Sequence, residues 1–213
     1  MNPLPSKMRN RWASRTEPAP GCGTIYWHVP LHTYPEARAA AMDAQKVLAA
    51  FPGLHMTPLK WLHMTTLVVG SPDEMTRAQM SAMVSAAQRL LCDNAPIPVT
   101  LGKVLYHPEA IVLRVQPVEA LQLILDAAQL ATREAVGHSG VTDELLPSLW
   151  TPHMTVAYST TEQPAGPIVS ALGKSIRERQ ILIDSLTLVI QWGPERHWDW
   201  EPIGTARLRT SDL

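Results

Sequence analysis

Apolar and polar positions alternate over a few short stretches of this chain, and between them the apolar spacing lengthens to that of helices. The alternation in 24–29 (TIYWHV) predicts a strand with Thr24, Tyr26 and His28 on one face and Ile25, Trp27 and Val29 on the other. Ala37, Ala40, Ala41, Ala44, Val47, Leu48 and Phe51 fall on one helical stripe, so 35–51 is a helix with Thr33 as N-cap and Pro52-Gly53 as its stop. Met75, Ala78, Ala82, Met83, Ala86 and Leu90 place a second helix over 74–91. Strands at 97–106 and 110–115 flank a His107-Pro108-Glu109 turn and form a hairpin, and a helix follows to Val136, closed by Gly137. A loop over 137–149, a strand at 152–158, a short helix at 164–174, one long strand at 181–191, an aromatic-rich turn at 192–200 and an edge strand at 205–209 complete the chain. The order echoes itself in two halves. It predicts an α+β protein of two pseudo-symmetric lobes, each a mainly antiparallel sheet backed by helices.

Two of these strands share a polar signature. WLHMTTLVVG at 61–70 and TPHMTVAYS at 151–159 each carry a histidine with a threonine at i+2, His63/Thr65 and His153/Thr155. Residues i and i+2 of a strand share a face about 6.5–7 Å apart, so each pair points one way while Met64 and Met154 point into the core. A third His-x-Thr, at His55 and Thr57, runs straight into Pro58, which cannot donate to a sheet ladder. It is therefore assigned to a loop or a sheet edge. Tyr158 is out of step with His153 and Thr155 and packs inward unless the strand bulges.

Paired imidazoles suit a particular chemistry. Each titrates near 6.5, so at neutral pH one can accept a proton while the other gives one. Cleaving a phosphodiester needs both transfers, and a hydroxyl beside each ring supplies a donor for the phosphate oxygens. Neither histidine has Asp or Glu at metal-ligand spacing, so no metal and no cofactor are expected. Tyr26 and His28 on the first strand, and Thr187 on the long strand beside Ser185 and Gln191, are further candidates for contact with substrate.

Composition narrows the partners. Within 213 residues the net charge is −1 and the pI is near 6.7, which argues against a broad basic surface for a long nucleic acid but permits a small pocket for one nucleotide or strand end. Lys174, Arg177 and Arg179 form the densest basic patch, either a solvated loop or a contact for a phosphate end. Seven tryptophans stand against one phenylalanine, a supply of rings for packing and for stacking on a base. Two cysteines form no disulfide framework and suit a reducing cytoplasm. No apolar run reaches the length of a signal peptide or membrane span. Residues 1–20, rich in proline and charge and without periodicity, are expected to form a disordered arm ahead of a single bilobal domain at 21–213, a monomer without membrane contact.

The two motif stretches resemble the paired His-x-Thr motifs of the 2H phosphoesterase superfamily, the group of 2′-5′ RNA ligase-like proteins and 2′,3′-cyclic phosphodiesterases. TIYWHV resembles the family's opening strand and IDSLTLVIQ its closing strand. The resemblance implies an active groove between two lobes and metal-free chemistry on a 2′,3′-cyclic or 2′-5′ phosphodiester of a nucleotide or RNA end. His63 and His153 would be the acid–base pair, and Thr65 and Thr155 the phosphate-oxygen donors. Thr66 stands where the family usually has an apolar residue. Three other readings stay open at this point: 2′-5′ RNA ligation, a non-catalytic nucleotide- or RNA-binding module using the same groove, and a structural domain with inert histidines.

Overall fold

The computed structural model describes residues 4–13, 15–137 and 150–209. Eleven strands and four helices follow in the order β1 (Lys7–Met8), β2 (Gly23–Val29), α1 (Pro35–Leu48), β3 (Leu54–Met56), β4 (Met64–Gly70), α2 (Arg77–Leu91), β5 (Ile97–His107), β6 (Ala110–Gln116), α3 (Val118–Val136), β7 (His153–Ser159), β8 (Gln163–Pro164), α4 (Gly166–Leu172), β9 (Ser175–Ile183), β10 (Ser185–Trp192) and β11 (Asp199–Arg207). They form two antiparallel sheets, of order β11-β10-β2-β4 and β3-β7-β6-β5-β9, with β1 and β8 as a small separate pair. The expected α+β class with two related antiparallel lobes is what the chain adopts.

The lobes are not simply the two halves of the chain. Strands β10 and β11 come from the second half and complete the sheet of β2 and β4, while β3 from the first half edges the sheet of β7. The helices cross over too: α1 packs on β9 and β7, and α2 and α3 pack on β11 and β4. The indole of Trp27, fully buried on β2, donates to Thr132 Oγ1 on α3 at 3.0 Å, satisfying its one polar atom inside the core. The long strand expected over 181–191 is in fact two, because Asp184 turns the chain from one sheet to the other. Its Oδ1 accepts from the Tyr34 hydroxyl at 2.7 Å and from Ser185 Oγ at 2.9 Å, and its N–H donates to the Tyr34 oxygen at 3.1 Å.

Local chemistry explains the other boundaries. Helix α2 starts at Arg77 because Thr76 and Gln79 form a capping box, and the preceding Pro72–Glu74 is a 3₁₀ turn. Thr33 does not cap α1: its hydroxyl donates to Pro30 O, and Tyr34 holds the N-cap position. The edge strand expected over 205–209 begins earlier, at Asp199. The loop expected over 137–149 lies outside the described residues beyond Gly137, which ends α3 with φ 80°. His55 lies on the edge strand β3, as Pro58 requires, and its Nε2 accepts from Trp198 Nε1–H at 3.2 Å, the two rings nearly parallel.

The amino-terminal segment departs most from expectation. It is seated on the domain and is not a disordered arm. Met8 is fully buried, Arg9 N–H donates to Pro108 O at 2.6 Å, and Arg11 N–H donates to Ser159 O at 2.9 Å. Trp12 packs edge-on against His55 at 5.6 Å. Lys7, Arg9 and Arg11 alternate with Met8 and Trp12, a period of two too short to stand out against the surrounding prolines.

Candidate active site

Each motif histidine is fixed the same way. His63 Nδ1–H donates to Trp61 O at 2.7 Å, and His153 Nδ1–H donates to Thr151 O at 2.7 Å. A carbonyl can only accept, so the bond holds the proton on Nδ1 and leaves Nε2 with its lone pair in the neutral ring. Both rings, with Thr65 and Thr155, line one cavity of about 620 Å³ between the sheets. Met64 and Met154 are fully buried behind them, as the alternation requires.

The lobes repeat a further detail. On β4 the register against β2 slips between the Leu67 and Thr65 rungs, leaving Thr66 without a partner. On β7 the register against β6 slips between the Ala157 and Thr155 rungs, leaving Val156 without one. In both strands the bulge falls three residues after the histidine. It inverts the alternation, so Val68 and Tyr158 rejoin the cavity wall while Leu67 and Ala157 turn into the core. The condition set for Tyr158 is thus met: the strand bulges and its ring faces the groove. Thr66 is buried at 3% exposure, and its hydroxyl has no partner among the described residues.

Of the weaker candidates, Tyr26 and His28 line the same cavity, stacked on each other at 5.1 Å. His28 is buried, its ring 4.4 Å from that of His63 and 4.9 Å from Trp200. Thr187 sits elsewhere. Its hydroxyl shares a hydrogen bond with Thr205 Oγ1 at 2.9 Å, and it lines an adjoining cavity of about 420 Å³ that touches His28 and His63 from the other side. Ser185 lines that second cavity and Gln191 the first. The basic patch around Arg179 is not at the groove, for its guanidinium is tied to Glu36 at 2.7 Å and Asp43 at 2.8 Å.

The groove's positive charge comes instead from Arg9, Arg11 and Arg15, none of which stands out in the sequence. Arg11 forks onto Glu195, and its guanidinium lies 4.7 Å over the Tyr158 ring. Glu109 accepts from Arg15 at 2.7 Å and from Arg11 at 3.4 Å. His107 adds a fourth imidazole, its ring 6.4 Å from His153. Among the described residues no cluster of His, Cys, Asp or Glu is arranged to hold a metal ion.

Burial sets the protonation states. His63 is pushed down to about 4, mainly by desolvation, with the charge of His153 acting the same way against the opposing bond to Trp61. His153 is lowered by desolvation and by the charges of His107 and Arg11. His28 is held well below 6.5, again by burial first and by His63 second. All three rings are therefore neutral at pH 7, and an anion placed between them favours the protonated form.

A family model described as the 2′-5′ RNA ligase superfamily matches residues 34–194. The chain belongs to this superfamily. Within it, both His-x-Thr strands fall inside the matched range, and the resemblance to 2H phosphoesterases holds. Solved structures agree on the fold. TT0787 of Thermus thermophilus superposes with a TM-score of 0.67 at 19% identity, covering 88% of this chain and 99% of that one. E. coli LigT complexed with 3′-AMP gives 0.57 at 15% identity over 92% and 100% of the two chains. The MHV ns2 PDE domain gives 0.54 at 12% identity over 79% and 99%. The search of curated proteins finds no match. No described helix is long and apolar enough to cross a membrane.

Proposed function

We propose that this superfamily member is a metal-independent phosphodiesterase acting on a 2′,3′-cyclic phosphate, or a 2′-5′ phosphodiester, of a nucleotide or RNA end. The observation that carries the reading is the mirrored anchoring of His63 and His153, which turns two bare Nε2 atoms into one cavity. A substrate phosphate between the rings stabilises one imidazolium and leaves the other neutral. His63, the more strongly depressed, is the base: its Nε2 takes a proton from water as the oxygen attacks phosphorus. His153 is the acid and protonates the ribose oxygen as the P–O bond breaks. Thr65 and Thr155 donate to the non-bridging oxygens, where negative charge builds in the transition state. Tyr26 and His28 offer a stacked wall for the nucleoside, and Thr187 borders the adjoining cavity. The 3′-AMP in the LigT structure is a nucleoside monophosphate of the kind such a cleavage releases.

With a ribose 5′-hydroxyl in place of water as the nucleophile, the same proton transfers in the same direction open the cyclic phosphate, expel its 3′-oxygen and form a 2′-5′ phosphodiester, the reaction in the superfamily's name. Hydrolysis in water is the favoured direction for a strained cyclic ester. The enzyme is read as a monomer of the cytoplasm, where its two free, exposed cysteines stay reduced.

The test is turnover of adenosine 2′,3′-cyclic phosphate by protein treated with EDTA. The wild type hydrolyses it, and His63→Ala or His153→Ala each lowers kcat by about 10²–10⁴. Activity that survives either substitution, or that requires added zinc, would overturn the assignment. Ligand binding without turnover would make the protein a nucleotide-binding module.

A further inference from the structure

The three arginines at the groove come from a segment that precedes residues 34–194, the range the family model matches. This segment is built into the domain. Met8 is buried in the main core, β1 pairs with β8, and the backbone of Arg9 and Arg11 bonds to Pro108 and to Ser159. Its attachment points are Pro108 in the β5–β6 turn, next to His107, and Ser159 at the far end of the strand that begins with His153. The charge of Arg11 is felt at His153.

The arginines differ in their obligations. Arg11 is committed to Glu195 by two bonds of 2.8 Å, and Arg15 to Glu109 by one of 2.7 Å. Arg9 lines the same cavity, is exposed, and has no carboxylate within ion-pair distance among the described residues. Three guanidiniums against the two carboxylates of Glu109 and Glu195 leave one positive charge in excess on this wall. A guanidinium held by its backbone, lining a cavity and committed to no carboxylate, is suited to receive a phosphate. The scissile phosphate does not need it, since two histidines and two threonines already surround that position.

The geometry points to a second phosphate subsite, formed by Arg9 with Arg15 beside it, that selects substrates carrying a further phosphate on the 5′ side of the nucleoside whose cyclic phosphate is opened. This rests on the phosphodiesterase reading for the identity of the first phosphate. The substrate class is then a 5′-phosphorylated nucleoside 2′,3′-cyclic phosphate, or an RNA end whose last internucleotide phosphate fills the subsite. Unphosphorylated nucleoside 2′,3′-cyclic phosphates are turned over less efficiently. A single unmatched positive charge also fits the overall charge of −1, because it holds one phosphate and not a long backbone.

Calorimetry with adenosine 3′,5′-bisphosphate and adenosine 3′-monophosphate separates the subsite from the chemistry. Wild-type protein binds the bisphosphate about tenfold or more tightly, a difference that shrinks with added salt. Arg9→Gln brings the ratio of the two affinities toward one, and Arg9→Glu inverts it. Arg9 makes no ion pair among the described residues, so both variants remain folded. Arg89→Gln, on the far pair with Glu134, leaves the ratio as it is. Equal affinities in the wild type, or a preference untouched by Arg9→Glu, would refute the subsite even if adenosine 2′,3′-cyclic phosphate is hydrolysed. A preference that depends on Arg9 without any hydrolysis would uphold the subsite and refute the catalytic reading instead.

Discussion

Arg11 and Glu195 meet through two parallel hydrogen bonds, Nε to Oε2 and Nη2 to Oε1, each 2.8 Å long. The pair ties the amino-terminal segment to the turn before β11. Burial alone would push the Glu195 carboxyl up, but the guanidinium outweighs it and holds the group below the usual range. Both side chains are mostly shielded, at 19% and 27% exposure, so the pair is worth more than an open surface bridge. Glu195→Gln should cost about 1–3 kcal/mol in urea titrations. It should also make the peptide bonds before β2 faster to cleave under limited proteolysis. Unchanged proteolysis would mean that Met8 and Trp12 seat the segment without the ion pair.

Acid should weaken the fold through His63. Its proton affinity falls from about 6.5 in the unfolded chain to about 4 in the native groove. Between those values the unfolded state binds more protons, so stability declines as pH drops from about 6.5 to about 4 and levels off below. The shift corresponds to a loss on the order of 3 kcal/mol from this ring, and His28 and His153 act in the same direction. The urea midpoint of the wild type should therefore fall steeply on going from pH 7 to pH 5. His63→Gln should flatten part of that slope, and an identical slope in the variant would place the acid sensitivity elsewhere.

Thr66 offers a substitution that should help. Its hydroxyl is buried at the β4 bulge with no partner among the described residues, and it forgoes the hydrogen bonds it had in water. Thr66→Val keeps the shape and the β-branched preference while removing the polar atom. The variant should be more stable by about 1 kcal/mol, seen as a rise of a few degrees in Tm. Activity should be retained, because the side chain faces away from the groove. A lower Tm would show that the hydroxyl is satisfied by a bound water.

The proposed catalytic pair is legible in the sequence because its signal is local: a histidine and a threonine two apart, on strands, with methionine between them. Pro58 likewise sufficed to separate His55 from His63. What escaped was everything set by pairing between distant segments. The bulge opposite Val112 that brings Tyr158 into the groove depends on the register between β6 and β7. Asp184 divides an apolar run that reads as one strand, because the sheets on its two sides recruit partners far apart in the chain. The arginines were missed for a related reason. Their segment has too few alternating residues to predict a strand, and it is held by distant partners such as Glu109 and Glu195.

His28 carries the last prediction. Its ring packs against those of His63, Tyr26 and Trp200 while lining the groove, so it buttresses the proposed base. His28→Ala opens a void there and should cost about 2–3 kcal/mol, close to other buried truncations of this size. The same void lets the His63 ring drift from the orientation set by Trp61 O. Small displacements of a proton-transfer group reduce the chemical step far more than they reduce binding. Hydrolysis of adenosine 2′,3′-cyclic phosphate by His28→Ala should show kcat down by about 10-fold to 100-fold with KM within a few-fold of wild type. His28→Phe, which refills the volume with another ring, should recover much of both the stability and kcat. If kcat stays low in His28→Phe although Tm returns, the imidazole of His28 takes part in the chemistry and is not merely a support.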